Sequence, residues 1–194
     1  EKFKEFNDSA IKSNALGFVF DPSNVTGKRL MDFNWHKPDT IFAGCAGDIS
    51  AYLKIPVTYE KTAEDLTFFD VALTGGKGGH SEFDIHLERM NALVTFGRII
   101  NRIAKEYEVH FVNLTGGVNR YVIPGNMESV IAVKTQDADL VKKIIEEVAA
   151  ELKNEYKIAD PDIKVSVKAA EKTEKVITYA DSKKICKALR LLPC

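Results

Sequence analysis

Two stretches with helical periodicity, separated by short strand-like segments, restrict the possible fold of this chain more than any other feature. Apolar residues recur at three- and four-residue steps over residues 87–104 and again over residues 140–152, the spacing of an amphipathic helix. Strand-like segments occur at residues 52–60, 66–73, 109–114, 129–134 and 163–167. This order predicts an α+β fold, a ferredoxin-like antiparallel sheet with two helices on one face.

The predicted sheet occupies only the middle of the chain. We expect residues 51–172 to form one unit, with flanking segments at residues 1–50 and 173–194, the second of them a helix. The chain begins with Glu1 instead of a methionine and stops abruptly at Cys194. We therefore expect it to be part of a longer protein.

Charge and cysteine content exclude several classes of function. The formal net charge is -1, so neither nucleic acid nor an anionic membrane is expected as the main partner. No apolar run approaches the roughly 20 residues that a membrane-spanning helix needs. The three cysteines form no Cys-x-x-Cys pair, which favours reduced thiols in a cytoplasmic protein and argues against structural zinc.

A glycine-rich segment holds the candidate chemical groups. Glycines at 75, 76, 78 and 79 precede His80, Asp84 and His86, and their backbone N–H groups could approach an anion at a helix start. The two histidines and the aspartate could hold a metal ion. Alternatively, Ser81 and Asp84 cap a helix and His86 lies on its solvated face, which the residues alone favour. The spacing does not fit a phosphate-binding loop.

Three ordered groups of motifs carry a family resemblance. The first is Gly78-Gly79-His80-Ser81, Asp84-Ile85-His86, Arg89 and Asn91-Ala92; the second is Thr26-Gly27-Lys28, Leu30-Met31-Asp32-Phe33-Asn34 and Gly44-Cys45-Ala46-Gly47; the third is Gly116-Gly117 with Ile123-Pro124. With these motifs the chain resembles the aminoacyl-histidine (Xaa-His) dipeptidases, which belong to the carnosinase-like two-zinc metallopeptidases. The resemblance covers nearly the whole chain.

The resemblance implies a lid, or dimerisation domain, inserted into a two-zinc catalytic domain. Residues 51–172 would be this lid, and residues 1–50 a remnant of catalytic-domain-like chain. The complete enzyme would form a homodimer and hydrolyse dipeptides such as β-alanyl-histidine with zinc. By the same resemblance, His80 would reach across the dimer and stabilise the oxyanion of the tetrahedral intermediate. Arg89 and Asn91 would bind substrate.

Departures from the family pattern concern the catalytic metal. The family's Glu-Glu pair, a general base and a zinc ligand, corresponds to Ser9 and Ala10 or their neighbourhood, and the family's zinc-binding Asp corresponds to Asn34. A neutral amide is a poor zinc ligand. We therefore expect no metal ligands and no cofactor in this chain, and no activity from the chain alone. The family's Arg-Glu after Ile-Pro is Gly125-Asn126 here.

Three functions remain open at this point. The chain could be the lid of an active dipeptidase, a non-catalytic binding or dimerisation module derived from that family, or an unrelated ferredoxin-like binding domain. A dimer would pair through the edge strand at Val109–Leu114 and the helix from about His86 to Tyr107. Val94, Phe96 and Ile99 widen the apolar surface of that helix. A second copy could cover this surface, or residues 1–50 could.

Overall fold

The computed structural model describes residues 26–27 and 52–191. The chain divides into two compact units, residues 1–51 and 52–194, and the fold described below belongs to the second. Ser9, Ala10, Asn34 and Cys45 lie outside the described residues. No helix in the described ranges is long and apolar enough to cross a membrane.

Residues 52–191 contain nine strands and three α-helices. In chain order they are β1 (Tyr59–Lys61), β2 (Leu66–Thr74), β3 (Gly79–His80), α1 (Ala92–Ala104), β4 (His110–Phe111), β5 (Thr115–Gly116), β6 (Val122–Ile123), β7 (Met127–Lys134), α2 (Ala138–Glu155), β8 (Lys164–Ala169), β9 (Lys175–Ile177) and α3 (Tyr179–Leu191).

The main sheet has the order β4-β7-β2-β8, and β5 pairs with the far end of β7. All of its pairings are antiparallel. Together with α1 and α2, this order is that of a ferredoxin-like fold. The predicted α+β class and the antiparallel sheet are confirmed.

The core lies between this sheet and the helices. Successive side chains of a strand point to opposite faces, and Phe69, Val71 and Leu73 of β2 are buried together with Ile100 of α1 and Ile145 of α2 in one apolar cluster. The apolar residues that alternate along the strand and those that recur along the two helices therefore belong to one core.

The C-terminal helix α3 packs on α1. The contact is close at Gly97, where a Cβ atom would lie 2.8 Å from the carbonyl oxygen of Leu189. Cys186 of α3 is buried in the same cluster as Phe96 and Ile99, both of which are 0% exposed. The interpretation that Phe96 and Ile99 offer apolar surface to a second copy is therefore wrong, because both lie in the core to which α3 contributes.

The first helix begins later than its apolar period suggests. A helix from about His86 was predicted, whereas α1 starts at Ala92. Residues Ile85–Leu87 form a separate 3-10 turn, and Glu88 then adopts a left-handed φ of 52°. The side chain of Asn91 caps α1 by accepting hydrogen bonds from the N–H groups of Leu93 and Val94, which defines the helix start.

A two-stranded ribbon joins the beginning and the end of the described unit. β1 pairs antiparallel with β9, placing Tyr59 opposite Ile177. The backbone N–H of Thr58 also donates to Asp181 Oδ2 at 2.8 Å. The predicted strand at residues 52–60 is thus a strand only from Tyr59 onward.

Candidate functional site

The candidate site is the loop between β2 and α1, residues 75–91, which carries the predicted site residues. Its first half is held by a short ribbon in which β3 pairs with β6, so that Gly79 lies opposite Ile123 and His80 opposite Val122. The N–H of Ser81 continues the pairing by donating to the carbonyl oxygen of Tyr121 at 2.8 Å. Two motifs separated by more than forty residues in the sequence are therefore adjacent.

The glycines of both motifs permit this close approach. The N–H of Gly76 donates to the carbonyl oxygen of Gly125 at 3.1 Å, and the N–H of Gly75 donates to Asn126 Oδ1 at 3.1 Å. A Cβ atom on Gly125 would overlap with the carbonyl oxygen of Gly76. Gly125 and Asn126, which stand in place of the family's Arg-Glu, therefore join two backbone segments. Residue 125 has no room for a side chain at this point.

His80 is held in one tautomer by its own loop. Its Nδ1 atom accepts hydrogen bonds from the N–H groups of Glu82, at 3.1 Å, and Phe83, at 3.4 Å. An imidazole nitrogen that accepts a hydrogen bond carries no proton, so the neutral ring is protonated on Nε2. The ring also lies 4.7 Å from that of Phe83, centroid to centroid. The side chain is half-buried and offers a single N–H donor.

Asp84 and Arg89 stabilise the backbone around His80. The N–H of His80 donates to Asp84 Oδ2 at 2.7 Å, and the N–H of Asp84 donates to the carbonyl oxygen of His80 at 2.9 Å. Arg89 donates to the carbonyl oxygen of Gly78 at 2.7 Å and lies 3.7 Å from the Asp84 carboxylate. Both side chains thus make contacts within the loop.

The other candidates are placed around this loop. Asn91 caps α1, and the neighbouring N–H of Ala92 donates to the carbonyl oxygen of Pro124 at 2.8 Å. His86 is exposed on the 3-10 turn. Across the described ranges, no three His, Cys, Asp or Glu side chains come together in a way that could hold a metal ion.

The sequence did not single out Asp160, which contacts both ends of the loop. Its Oδ1 accepts from the N–H of Lys77 at 2.7 Å, and its Oδ2 accepts from the N–H of Met90 at 2.6 Å. Asp160 is 0% exposed. In the sequence, an Asp-Pro pair after a helix indicates only a turn, so no local signal distinguished this residue.

Comparison with known proteins gives a consistent result. Residues 71–160 match the family model described as peptidase dimerisation domain. The chain is 31% identical over 126 residues to the cytosol non-specific dipeptidase of Escherichia coli strain K12, covering 65% of this chain and 26% of that protein. The crystal structure of aminoacylhistidine dipeptidase from Vibrio alginolyticus superimposes with a TM-score of 0.67 and 27% identity, over 71% of this chain and 28% of that one. The chain thus spans about a quarter of each relative.

Proposed function

We propose that the chain, whose residues 71–160 match the peptidase dimerisation domain family, serves as the lid of an Xaa-His dipeptidase-like metallopeptidase. In this role it brings His80 to the reaction centre of a second subunit. The complete enzyme hydrolyses dipeptides such as β-alanyl-histidine. Two relatives that are named dipeptidases support this assignment. The chain matches about a quarter of the length of each, as one domain of a larger enzyme would.

The tautomer of His80 is the observation that carries the proposal. An oxyanion donor needs an N–H group that is fixed before the negative charge develops. Two backbone N–H groups occupy Nδ1 of His80, which leaves the Nε2–H group to donate. Arg89 and Asn91 are proposed to line the same substrate site, although their described contacts lie within the loop and at the start of α1.

Zinc belongs to the complete enzyme in this proposal. The described residues offer no cluster of three or more ligating side chains, so they do not fit a zinc site. Zinc would instead be held by residues of a catalytic domain, where it would activate the attacking water. In this proposal the catalytic domain supplies the metal ligands, and the lid supplies the hydrogen bond from His80.

We place the complete protein in the cytoplasm as a homodimer. The Escherichia coli relative is named a cytosol dipeptidase, and the matched domain is named for dimerisation. At β4, the N–H of Phe111 donates a hydrogen bond to Ser182 Oγ of α3 at 3.1 Å. Helix α3 therefore covers this part of the edge strand that was predicted to pair with a second copy. Free apolar surface lies further along the same edge.

That surface is the junction of β5 with α1. A Cβ atom on Gly116 would lie 3.1 Å from Leu93 of α1, so the edge strand and the helix are in contact here. The adjoining Val94 and Val118 are 36% and 85% exposed. An edge strand beside exposed apolar side chains is suited to pairing with a second copy.

A charge at this junction should separate the dimer. We expect light scattering at micromolar concentration to give twice the 21.6 kDa chain mass, and Val118→Asp to give the mass of one chain, because a carboxylate would be buried without a partner. Leu140→Asp is the matched control, since Leu140 is an exposed leucine of α2, 51% exposed. A monomeric parent chain, or a dimer that Val118→Asp leaves intact, would refute this surface.

The proposal that catalysis needs a catalytic domain in addition to this lid can be tested directly. We expect the 194-residue chain to release no histidine from β-alanyl-histidine above background, with or without zinc or manganese, whereas the full-length protein from the same gene does so. Chelator-sensitive turnover by the chain alone would contradict the proposal. An inactive full-length protein that still dimerises would favour the alternative, a binding or dimerisation module that has lost catalysis.

A further inference from the structure

Asp160 connects the His80 loop to a distant part of the fold. It follows α2, and its own N–H donates to the carbonyl oxygen of Tyr156 at 2.8 Å, which extends the helical pattern of bonds beyond the helix end. Its side chain is fully buried. Each carboxylate oxygen accepts one backbone N–H, from Lys77 immediately before the loop segment 78–89 and from Met90 immediately after it.

Both bonds are short and charge-assisted, which makes them stronger than ordinary backbone hydrogen bonds. A buried carboxylate is costly unless it is fully hydrogen-bonded, so the fold keeps Asp160 and both loop ends together or releases them together. The side chain of Lys77 adds a third link by donating to the carbonyl oxygen of Ala159. The contacts of Asp84 and Arg89, by contrast, lie within the loop.

We propose that Asp160 is a positioning residue, which fixes the loop 78–89 against the end of α2 and thereby holds the imidazole of His80 in its donor orientation. The catalytic value of this orientation rests on the function proposed above. The positioning itself is a property of the folded chain. Asp160 acts only through the loop and touches no reacting group.

Asp160→Asn tests this directly. An asparagine side chain offers one acceptor oxygen and one NH2 group, so one of the two backbone N–H groups would face a donor and lose its bond. We expect nitrogen NMR of the histidine-labelled chain to show the His80 Nδ1 signal moving away from its hydrogen-bonded position. Amide exchange at Glu82 and Phe83 should rise about tenfold, since one end of the loop opens more often.

Asp181→Asn is the matched control. Asp181 is also a buried carboxylate, 7% exposed, and accepts a backbone N–H from Thr58 at 2.8 Å. Because it lies at the β1–β9 ribbon and the start of α3, its replacement should leave the His80 signals and the exchange at Glu82 and Phe83 unchanged. Equal effects of both variants on His80 would show a general loss of stability and would overturn the proposal.

The unaltered chain provides a second measurement in case Asp160→Asn does not fold. The amides of Lys77 and Met90 should be protected from exchange and should open together with those of Glu82 and Phe83. Independent opening of the two groups would overturn the positioning role. In the full-length enzyme, Asp160→Asn should lower kcat and leave KM nearly unchanged. If the His80 signals move but kcat does not, the positioning stands and the proposed function fails.

Discussion

With His80 as the oxyanion donor proposed above, its replacement by alanine in the full-length protein is expected to lower kcat by about 100- to 1000-fold, the usual effect of removing one such donor. KM should stay within about twofold, because the lost hydrogen bond forms mainly in the transition state. The physical reason is the fixed Nε2–H group, whose direction is set by the bonds from Glu82 and Phe83 to Nδ1. Steady-state kinetics with a histidine-containing dipeptide measures both constants.

Two further variants distinguish the loss of the His80 hydrogen-bond donor from a disturbance of the loop around it. His86→Ala removes an exposed histidine of the same segment and should leave kcat unchanged. His80→Gln supplies an amide N–H in place of the imidazole and should recover part of the rate. A kcat for His80→Ala equal to that of the unaltered enzyme would leave His80 as a turn residue and remove the main support for the lid function.

Phe96→Ala is expected to lower the free energy of unfolding by about 3–5 kcal/mol, the usual cost of emptying a phenylalanine site in a core. Phe96 is 0% exposed and belongs to the cluster that α1 shares with the sheet and with α3. The cavity that the substitution leaves cannot collapse easily, because α1 and α3 are already in close backbone contact at Gly97.

Urea unfolding of the chain at fixed concentration measures this loss. Leu140→Ala is the control, since this leucine of α2 is 51% exposed and lies outside the surface proposed for pairing; its effect should stay within about 0.5 kcal/mol. If Phe96→Ala also cost less than about 1 kcal/mol, the side chain would not be part of a tightly packed core, and the arrangement of α1 beneath α3 would be wrong.

The elements with a regular pattern could be predicted from the sequence, because burial on one face imposes a period on the residues. Strand β2, predicted at 66–73, spans Leu66–Thr74, and the predicted second helix corresponds to α2. The start of α1 was misplaced because Leu87 and Met90 continue the apolar period in front of it. Neither the left-handed Glu88 nor the cap from Asn91 is visible in that period.

Contacts between distant residues account for the rest. The edge at Val109–Leu114 reads as one strand, but its ladder with β7 is interrupted. His110–Phe111 and Thr115–Gly116 pair with β7, and Val112 adds one backbone bond to Val130 at 2.9 Å. Between them the side chain of Asn113 accepts from the N–H of Val130 at 2.7 Å. Similarly, the bonds of Asp160 to Lys77 and Met90 span 83 and 70 residues. No local pattern carries information about such partners.

The β1–β9 ribbon determines how this unit can relate to a larger chain. Tyr59 and Ile177 are direct partners across the ribbon, so the main sheet, α1 and α2 form one long loop with adjacent ends, and α3 follows directly after Ile177. A host protein that accepts such a loop keeps its own backbone continuous across a gap of one strand spacing, about 5 Å. We therefore expect the sheet, α1 and α2 to fold in another host only if α3 is carried with them, because α3 contributes Cys186 to their shared core.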